Sequence, residues 1–481
     1  MIASRLDSTR LAALPAAVQR PRYDRAALSS GIVHLGIGAF VRGHLAAYND
    51  AALDAGGSRA WGITGVSLRA PDTREALTPQ QGLYTLAVRD GRGERLQIIG
   101  CVVDILVAPE DRVAVIERIG HRDTRIVSLT VTEKAYAGVA PDSMAALVAQ
   151  GLALRLARGL PPLTLMSLDN LPANGRVLRA KVLAAAGHNP ALADWIAACC
   201  TFPCSMVDRI VPRTTDVDRA RIASALGDVH DAWPVVAEPF IDWVLEDRFA
   251  AGRPGWAGVR YVNTEADVAA WERLKLRMVN GAHSALAYLS VVAGWPTVDV
   301  AMLQPTLRKT LDVMLAREVE PTITGVSVPP GYRETLLERF ANPALAHRTA
   351  QIAMDGSQKV PQRLLATVRD RLAAGMSVRH LALGVAAWLH FLRGVDEAGR
   401  SYAIDDPLAP ALKALYAQAR TQGDARAQAD CFTRFAPVFG DLAGEPSLVD
   451  ALAASLHSLQ RRGVAATLAS MQNPQPEGLD T

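Results

Sequence analysis

The feature that most constrains the fold is a change in hydrophobic pattern near residue 264. Before that point, short apolar runs alternate with helical stretches, which is the pattern of a doubly wound α/β domain. Strands are predicted there at residues 32–35, 61–68, 96–99, 125–130 and 163–167. Beyond it strands become scarce, and long helical segments rich in Ala and Leu are predicted at residues 268–292, 305–317, 344–353, 360–374, 378–392 and 448–462. The sequence therefore predicts an α/β domain with a mainly parallel sheet over residues 1–264 and a mostly α-helical domain over residues 265–481.

Size and charge exclude several functional classes. A chain of 481 residues is long enough for two hydrophobic cores. Its 51 basic and 48 acidic residues give a net charge of +3, so neither nucleic acid nor an anionic membrane is indicated as a partner. The longest apolar run, residues 381–392, is too short to span a bilayer. Residues 1–22 contain no convincing signal cleavage site, so a cytoplasmic location is expected. The sequence does not indicate the oligomeric state.

The cysteines do not form a recognisable metal motif. Three of the five lie close together in sequence, at Cys199, Cys200 and Cys204. No histidine stands at a zinc-like spacing from them, so buried thiols are favoured over a metal site. We expect no metal in this protein.

A glycine turn follows the first predicted strand. Gly36 and Gly38, with Ala39 and Phe40, stand between that strand and a predicted helix at residues 42–52. In a Rossmann-type domain this position binds a dinucleotide pyrophosphate, because glycine lets backbone N–H groups approach the anion. Val41 occupies the place of the third glycine of the usual fingerprint, and taken alone the motif fits a tight turn equally well.

The residues after the second predicted strand bear on cofactor choice. Asp72 follows that strand, and an acid there would accept the ribose hydroxyls and repel a 2′-phosphate. Asp72 therefore favours NAD over NADP as the cofactor. Arg69, three residues earlier, argues in the other direction, and both are predicted to contact the cofactor.

Polar loops are predicted at the carboxyl ends of further strands, where open α/β sheets bind ligands. Asp169 and Asn170 begin such a loop, which could equally be an Asx turn before a helix. Residues 132–134 and the segment containing Asp208 and Arg209 fit the rim of the same crevice. Both segments could equally be solvated structure or an ion pair. The tail from Gln472 is too polar and proline-rich to require order.

One predicted helix carries an amine, a carboxamide and an imidazole. At about 100° per residue, with Lys275 at zero, Glu272 falls near about 60°, His283 near about 80° and Asn280 near about 140°. All four share a face, between apolar neighbours. A polar helix flank with a satisfied histidine is the alternative interpretation.

Five motifs together resemble one known family. They are the turn at residues 40–44, the loop at 169–175, the run at 201–212, the spacing Lys275-x4-Asn280-x2-His283 and the segment 355–359. Over nearly the whole chain these motifs resemble the mannitol dehydrogenase family, the polyol-specific long-chain dehydrogenases. Residues 275–278, 347–349, 351–355, 361–363 and 380–385 are most similar to the fructuronate reductase (D-mannonate oxidoreductase) branch.

The resemblance implies a function and a set of roles. It implies an NAD-dependent, metal-independent oxidoreductase of a linear hexonate or polyol, with D-mannonate and D-fructuronate as the favoured pair. Mannitol or arabinitol dehydrogenase is the alternative, and a non-catalytic NAD-binding protein is a third possibility. The implied roles are general acid/base for Lys275, hydrogen bonding to the reacting oxygen for Asn170 and Asn280, substrate orientation for His283 and a proton path for Glu272.

The sequence departs from the family pattern at the substrate mouth. Val41-Arg42-Gly43-His44 replaces the more usual His-Arg-Ala-His, and Gln351 stands where mannitol-specific members carry arginine. The second difference counts against mannitol. A carboxylate on the substrate would need a cation, for which Arg348, Lys359 and Arg363 are candidates, and Asp208 and Arg209 are further candidates for substrate contact.

The residue types also fit alcohol oxidation independently of the resemblance. Moving a hydride from a secondary alcohol requires removal of the hydroxyl proton, and a desolvated lysine can act as that base. Neutral amides can hold the developing alkoxide. No Tyr-x-x-x-Lys motif and no zinc ligand set occur in the chain, so Lys275 is the leading base.

Overall fold

A computed structural model of the chain describes residues 4–131, 136 and 143–472. Its internal contacts divide the chain into two compact units, Met1–Trp271 and Glu272–Thr481. We call these the N-terminal and the C-terminal unit. The boundary after residue 264 that the sequence indicates stays a prediction. Residues 132–134 of the predicted crevice rim and the tail after Gln472 lie outside the described residues.

The N-terminal unit contains the strands of the described chain. In chain order they are β1 (Ser4–Arg5), β2 (Ser30–Leu35), β3 (Gly62–Ser67), β4 (Tyr84–Asp90), β5 (Gly93–Ile99), β6 (Val102–Val107), β7 (Ile126–Leu129), β8 (Thr164–Ser167), β9 (Ser205–Asp208), β10 (Val229–His230), β11 (Val235–Ala237), β12 (Asp242–Glu246) and β13 (Arg260–Val262).

Five of these strands form the parallel sheet that positions the candidate cofactor residues. Their order is β6-β3-β2-β7-β8, and every neighbouring pair is parallel. Counted from β2, this is the 3-2-1-4-5 order of a doubly wound fold, in which ligands bind beyond the carboxyl ends of the strands. β2, β3, β7 and β8 are buried along their whole length, as expected for a parallel sheet covered on both faces. The predicted Rossmann-type fold class is confirmed.

Two strand predictions differ from the structure. Residues 96–99 lie in β5, which pairs antiparallel with β4 in a separate sheet of order β11-β4-β5. The third strand of the main sheet is β6, which the sequence did not predict. Its burial alternates because it lies at the edge of the sheet, and Asp104 interrupts its apolar run. Smaller sheets join β13-β12-β9 and β1-β10.

Alternate side chains of the main strands supply two cores, one on each face of the sheet. Ile32 of β2 and Ile63 of β3 belong to one core, which also contains Trp243. Val33, which follows Ile32, and Val66, three residues after Ile63, belong to the other core. The sheet is therefore held rigidly between two apolar layers.

Helices connect the strands of the N-terminal unit. They are α1 (Ala39–Gly43), α2 (Leu45–Asp54), α3 (Asp72–Leu77), α4 (Arg112–Ile119), α5 (Met144–Ala157), α6 (Asn174–Ala186), α7 (Pro190–Cys199) and α8 (Asp216–Ala225), with 3₁₀ turns at Ser8–Ala13, Arg59–Trp61 and Thr78–Gln80. The helix predicted at residues 42–52 is divided, because His44 leaves the helical region with φ −122° and ψ −86°.

Within the described residues the C-terminal unit is mostly helical and contains no strand, as predicted. Helix α9 (Glu265–Lys275) contains the division between the units. The helices that follow are α10 (Ala282–Ala293), α11 (Val298–Met302), α12 (Pro305–Val313), α13 (Tyr332–Phe340), α14 (Thr349–Ile352), α15 (Gly356–Val360), α16 (Ala366–Ala373), α17 (Arg379–Phe391), α18 (Ala409–Arg420), α19 (Ala425–Thr433), α20 (Ala436–Phe439) and α21 (Pro446–Ser470), with 3₁₀ turns at Glu320–Thr322 and Gly440–Leu442.

Three π-helical segments interrupt the described part of this unit, at Leu276–Gly281, Met314–Val319 and Pro361–Leu365. The first and third pack against each other, while α17 packs against both α10 and α21. The predicted helix at residues 344–353 is shorter in the structure and forms only α14. No helix among the described residues is both long and apolar enough to cross a membrane.

Candidate active site

The turn after β2 requires glycine at one position and leaves open space at the next. Gly36 has φ +93°, and a Cβ atom there would lie 2.1 Å from the backbone oxygen of Thr130. Only glycine fits such a position. At Gly38, in contrast, a Cβ atom would meet nothing closer than 3.8 Å. The chain therefore folds tightly against the end of β7 at Gly36 and leaves room in front of Gly38 for another group.

The residues after Gly38 begin α1. Ala39 is its first residue, and Phe40 stacks on His44 with ring centroids 5.2 Å apart. Val41, at the place of the missing third glycine, is fully buried in the core. In the usual fingerprint, the third glycine lets the helix pack closely against the strand. Here the Val41 side chain fills that place in the apolar core.

Arg69 and Asp72 lie beyond the carboxyl end of β3, the strand beside β2 in the sheet. Both side chains are exposed, and Asp72 is the first residue of α3. They therefore stand on the same edge of the sheet as the glycine turn. Their contact with a cofactor stays a prediction.

The buried side chain of Asn174 stabilises the loop after β8 through hydrogen bonds to backbone oxygens. The Asn174 amide donates to the backbone oxygens of Ser167, Asp169 and Ser205, at 3.1, 3.0 and 2.8 Å. The carboxylate of Asp169 accepts hydrogen bonds from the backbone N–H of Val131 at 2.7 Å and the Tyr136 hydroxyl at 2.7 Å. Asn170 is exposed at the top of this anchored loop, at the carboxyl edge of the sheet.

Asp208 and Arg209 are both buried at the end of β9. The Arg209 guanidinium donates to the backbone oxygen of Glu238 through Nε at 3.0 Å and Nη2 at 2.8 Å, and to that of Gly43 through Nη1. Burial lowers its pKa to about 10. These bonds give Arg209 a structural role in joining distant segments, while a substrate contact for either residue stays a prediction.

The candidate catalytic helix is not one regular α-helix. Lys275 is the last residue of α9 and is only 8% exposed. Asn280 lies in the π segment, and His283 is the second residue of α10. Glu272 and Asn280 are half-buried. The prediction of a single uninterrupted α-helix over residues 268–292 was therefore wrong at Leu276–Gly281.

The π segment changes which residues share a face. A π turn contains one residue more than an α turn, so residues beyond it are rotated back by about 100°. Relative to Lys275, His283, which lies beyond the segment, then moves from about 80° to about −20°, and Asn280, which lies inside it, moves from about 140° toward about 40°. Glu272 precedes the segment and stays near about 60°. The four polar groups therefore share a narrower face than the α-helical estimate gives.

His283 lies among aromatic and cationic side chains. Its ring stacks on Phe340, with centroids 4.9 Å and planes 21° apart, and meets His347 at 5.3 Å and 64°. Burial lowers the pKa of His283 well below its ordinary value, and the positive charges of Arg363, Arg339 and Lys359 lower it further. The imidazole is therefore neutral at physiological pH.

Of the three cations predicted to meet a substrate carboxylate, Arg363 and Lys359 lie near His283, and Arg348 is not among its neighbours. Arg363 donates to the Ser284 hydroxyl at 3.1 Å, and Lys359 donates to the backbone oxygen of Ile352 at 3.3 Å. Burial lowers the pKa of Lys359. Arg348 is exposed, and no contact with His283 is seen for its side chain within the described residues.

Sequence reasoning assigned no site role to Arg339, Phe340 or His347, although His347 lies in the segment 347–349 that resembles the fructuronate reductase branch. Arg339 is 8% exposed and Phe340 is 2% exposed, both at the end of α13. Neither belongs to a chemical motif, and they lie more than fifty residues from His283 in sequence. In the sequence, Arg339 and Phe340 are simply an arginine followed by an aromatic residue. That pair does not indicate a contact with His283.

The cysteines and acidic residues show no metal site in the part of the chain that the structure describes. No group of three or more His, Cys, Asp or Glu side chains there could hold an ion. Cys200 and Cys204 are buried, as favoured from the sequence. Cys199 is exposed, so the expectation of a buried thiol was wrong there, because it ends α7 on the solvent side.

Comparison with known proteins gives the family. The Mannitol dehydrogenase Rossmann domain matches residues 30–258, and the Mannitol dehydrogenase C-terminal domain matches residues 267–460. A mannitol 2-dehydrogenase from Phaeosphaeria nodorum is 40% identical over 479 residues, covering 93% of this chain and 82% of that protein. A D-mannonate oxidoreductase from Escherichia coli is 40% identical over 488 residues, covering 94% and 98%.

A solved structure extends the likeness to three dimensions. Pseudomonas fluorescens mannitol 2-dehydrogenase, in a ternary complex with NAD and D-mannitol, superposes with a TM-score of 0.85. It is 34% identical, and the match covers 98% of this chain and 100% of that one. Both halves of the chain are thus accounted for by one family. The chain belongs to the mannitol dehydrogenase family of oxidoreductases.

Proposed function

We propose that this NAD-dependent oxidoreductase, which acts on CH–OH groups, interconverts D-mannonate and D-fructuronate. The observation that carries the proposal is the positive charge around His283, where Arg339, Arg363 and Lys359 all act on the imidazole. A carboxylate that leaves water must be met by a cation or by aligned hydrogen-bond donors. A linear sugar acid supplies such an anion and a neutral polyol does not, while Lys359 already has one carboxylate neighbour in Asp355, at 3.8 Å.

The residues at the carboxyl edge of the parallel sheet fit a dinucleotide. The tight turn at Gly36 and the open space in front of Gly38 leave room for a pyrophosphate. Asp72, exposed at the start of α3, would accept the ribose hydroxyls. NAD supplies the nicotinamide ring that accepts or returns the hydride.

The protein's own residues handle the proton and the reacting oxygen. Lys275, nearly buried before the π segment, removes the hydroxyl proton during oxidation and returns it during reduction. Asn280 and Asn170 donate hydrogen bonds to the oxygen as it gains negative charge, and a neutral amide does so without trapping the alkoxide. Glu272, one turn before Lys275, carries the proton onward. His283 orients the substrate through its neutral ring.

Mannitol 2-dehydrogenase activity is the second candidate. It is supported by the P. nodorum relative, which is as similar in sequence as the E. coli D-mannonate oxidoreductase. Against it stands Gln351, which is exposed and replaces the arginine of mannitol-specific members. Arabinitol dehydrogenase activity is a further alternative of the same kind.

The test is NADH oxidation with fructuronate, tagaturonate, fructose and xylulose as competing substrates. We expect the catalytic efficiency for fructuronate to exceed that for fructose by at least about 10²-fold, and to fall as ionic strength rises. Lys359→Gln and Arg363→Gln should each lower the efficiency for fructuronate more than that for fructose. Arg369→Gln removes an exposed arginine of the same unit, paired with Asp441, and is the matched control.

A preference for fructose, with no salt dependence for either compound, would contradict the sugar-acid proposal and favour the polyol candidate. Equal effects of Lys359→Gln, Arg363→Gln and Arg369→Gln on fructuronate would show that the cations around His283 do not select the carboxylate. Reduction of tagaturonate in place of fructuronate would keep the acid class and change the sugar.

A further inference from the structure

The orientation of His283 has an unusual origin in this protein. Within the part of the chain that the structure describes, its ring makes two aromatic contacts and no hydrogen bond. Other histidines are oriented by polar partners: both ring nitrogens of His34 bond to hydroxyls, and His380 bonds to Glu318 at 2.7 Å. Both nitrogens of His283 therefore stay available to a ligand as far as the described residues show, and the two neighbouring rings hold the plane of the imidazole.

The two neighbouring rings contact His283 in different geometries. Phe340 lies nearly parallel to the imidazole, at a 21° interplanar angle, whereas His347 is inclined to it by 64°. Stacked and edge-on arrangements are the two favourable geometries of aromatic pairs. A ring that makes one stacked and one edge-on contact is therefore restrained against changes in its orientation from two directions.

His347 contributes to this contact as a ring. Its Nδ1 atom is buried and makes no hydrogen bond within the described residues. Burial also lowers the pKa of His347, so the side chain is neutral beside the neutral His283. Two uncharged imidazoles pack without the repulsion that two imidazolium ions would suffer.

We propose that Phe340 and His347 are positioning residues that clamp the His283 imidazole in the orientation in which its nitrogens meet the substrate. We call the three rings the His283 clamp. The inference rests on the proposed function insofar as His283 is taken to orient the sugar substrate. It adds two residues to which the sequence analysis assigned no role.

The clamp predicts a specific kinetic signature. Loss of one aromatic contact should reduce the fraction of molecules in which His283 has the productive orientation by about 3- to 10-fold. The loss should appear in KM for the sugar substrate, with the NADH dissociation constant unchanged. A residue with a purely structural role would instead lower stability and leave KM unaltered.

The experiment compares four variants with the wild type. Phe340→Leu and His347→Leu each remove one ring, while His347→Phe keeps a ring and removes both nitrogens. Phe432→Leu removes a buried ring elsewhere in the same unit, where it contacts Tyr416, and is the control for stability. For each protein we would measure KM, kcat, the NADH dissociation constant and the urea unfolding free energy.

We expect both single losses of a ring to raise KM by about 3- to 10-fold, with recovery to near wild type in His347→Phe. Phe432→Leu should lose stability with KM unchanged. If His347→Phe is as impaired as His347→Leu, the residue acts through a nitrogen and the clamp is wrong. The clamp is also wrong if the two leucine variants behave like the control.

A spectroscopic measurement separates failure of the clamp from failure of the proposed function. In ligand-free protein labelled with ¹⁵N-histidine, His283→Gln identifies the His283 ring signals. Those signals should move in Phe340→Leu and His347→Leu and return toward wild-type positions in His347→Phe. If fructuronate is not reduced at all, the proposed function fails, and the ring signals still decide for or against the clamp.

Discussion

Replacing Gly281 with alanine tests whether the π segment at Leu276–Gly281 positions the catalytic groups. Gly281 has ordinary helical angles, so the backbone itself would accept alanine without strain. Its missing side chain faces the third π segment, where a Cβ atom would lie 2.8 Å from the backbone oxygen of Arg363. An ordinary contact begins at 3.4 Å, so the two segments would have to separate by about 0.6 Å.

The separation has two measurable costs. Overpacking of this kind destabilises a protein by about 1–3 kcal/mol. It also displaces Asn280, the neighbour of Gly281, and a misplacement of about 1 Å at an active site costs about 10²-fold in rate. We therefore expect Gly281→Ala to lower kcat/KM by about 10-fold or more, and to lower the unfolding free energy in urea.

Gly120→Ala is the matched control for Gly281→Ala. A Cβ atom at Gly120 would meet Leu154 Cδ2 at 2.7 Å, which is nominally as close as the contact at Gly281. Leu154 Cγ and Cβ would lie at 3.0 and 3.2 Å, so the contact between α4 and α5 must also shift. Neither helix carries a proposed catalytic group, so we expect the control to lose stability and to keep kcat/KM unchanged. Unchanged kcat/KM and stability in Gly281→Ala would refute the view that the π segments are packed to within tenths of an ångström.

Three further predictions concern the proton, the cofactor and acid stability. Lys275→Met should lower turnover by at least about 10²-fold and leave the NADH dissociation constant nearly unchanged, measured by steady-state kinetics and fluorescence titration. Asp72→Ala should weaken NADH binding and narrow the gap between NADH and NADPH, and an unchanged ratio of dissociation constants would place specificity elsewhere. Burial lowers the pKa of His34 to about 3, so the unfolded chain takes up a proton below about pH 6.5 and the native protein does not. Stability should therefore fall between about pH 6.5 and 3 by up to about 5 kcal/mol, and urea unfolding of His34→Gln should lack this part of the decline.

Apolar runs were sufficient to predict the central strands of the main sheet. β2, β3, β7 and β8 are buried on both faces, and a strand of that kind must be apolar at nearly every position. The edge strand β6 faces solvent along part of its length, so its sequence alternates and carries Asp104. A rule based on continuous apolar runs cannot find such a strand.

The polar residues at the sheet edge were predictable for a related reason. Parallel strands end on one side of the sheet, so residues that follow each strand come together whatever the loops between them do. This brings Gly36, Asp72 and Asn170 to one edge of the main sheet. Arg209 was different, because no sequence pattern indicates that its guanidinium bonds to the backbone oxygens of Glu238 and Gly43.

The surroundings of His283 could not be predicted from the sequence. Arg339, Phe340 and His347 reach it through the packing of α13 and the segment before α14 against α10. Those contacts depend on tertiary structure, and no spacing along the chain encodes them. Lys359 and Arg363 were proposed only because a carboxylate on the substrate would need positive charge.

The π segment itself left a signal in the sequence, in the spacing of the catalytic groups. Lys275 and Asn280 are five residues apart, and residues that share a face of an α-helix are three or four apart. Five is the hydrogen-bonding period of a π turn. If one oxygen atom is to be reached by both an amine and an amide of the same helix, a spacing of five indicates a π turn between them. The α-helical estimate already placed the four residues on one face, within an arc of about 140°. Counting the extra residue of the π turn narrows that arc to about 80°. The chemistry of the pair therefore predicts the backbone geometry more sharply than hydrophobic periodicity does.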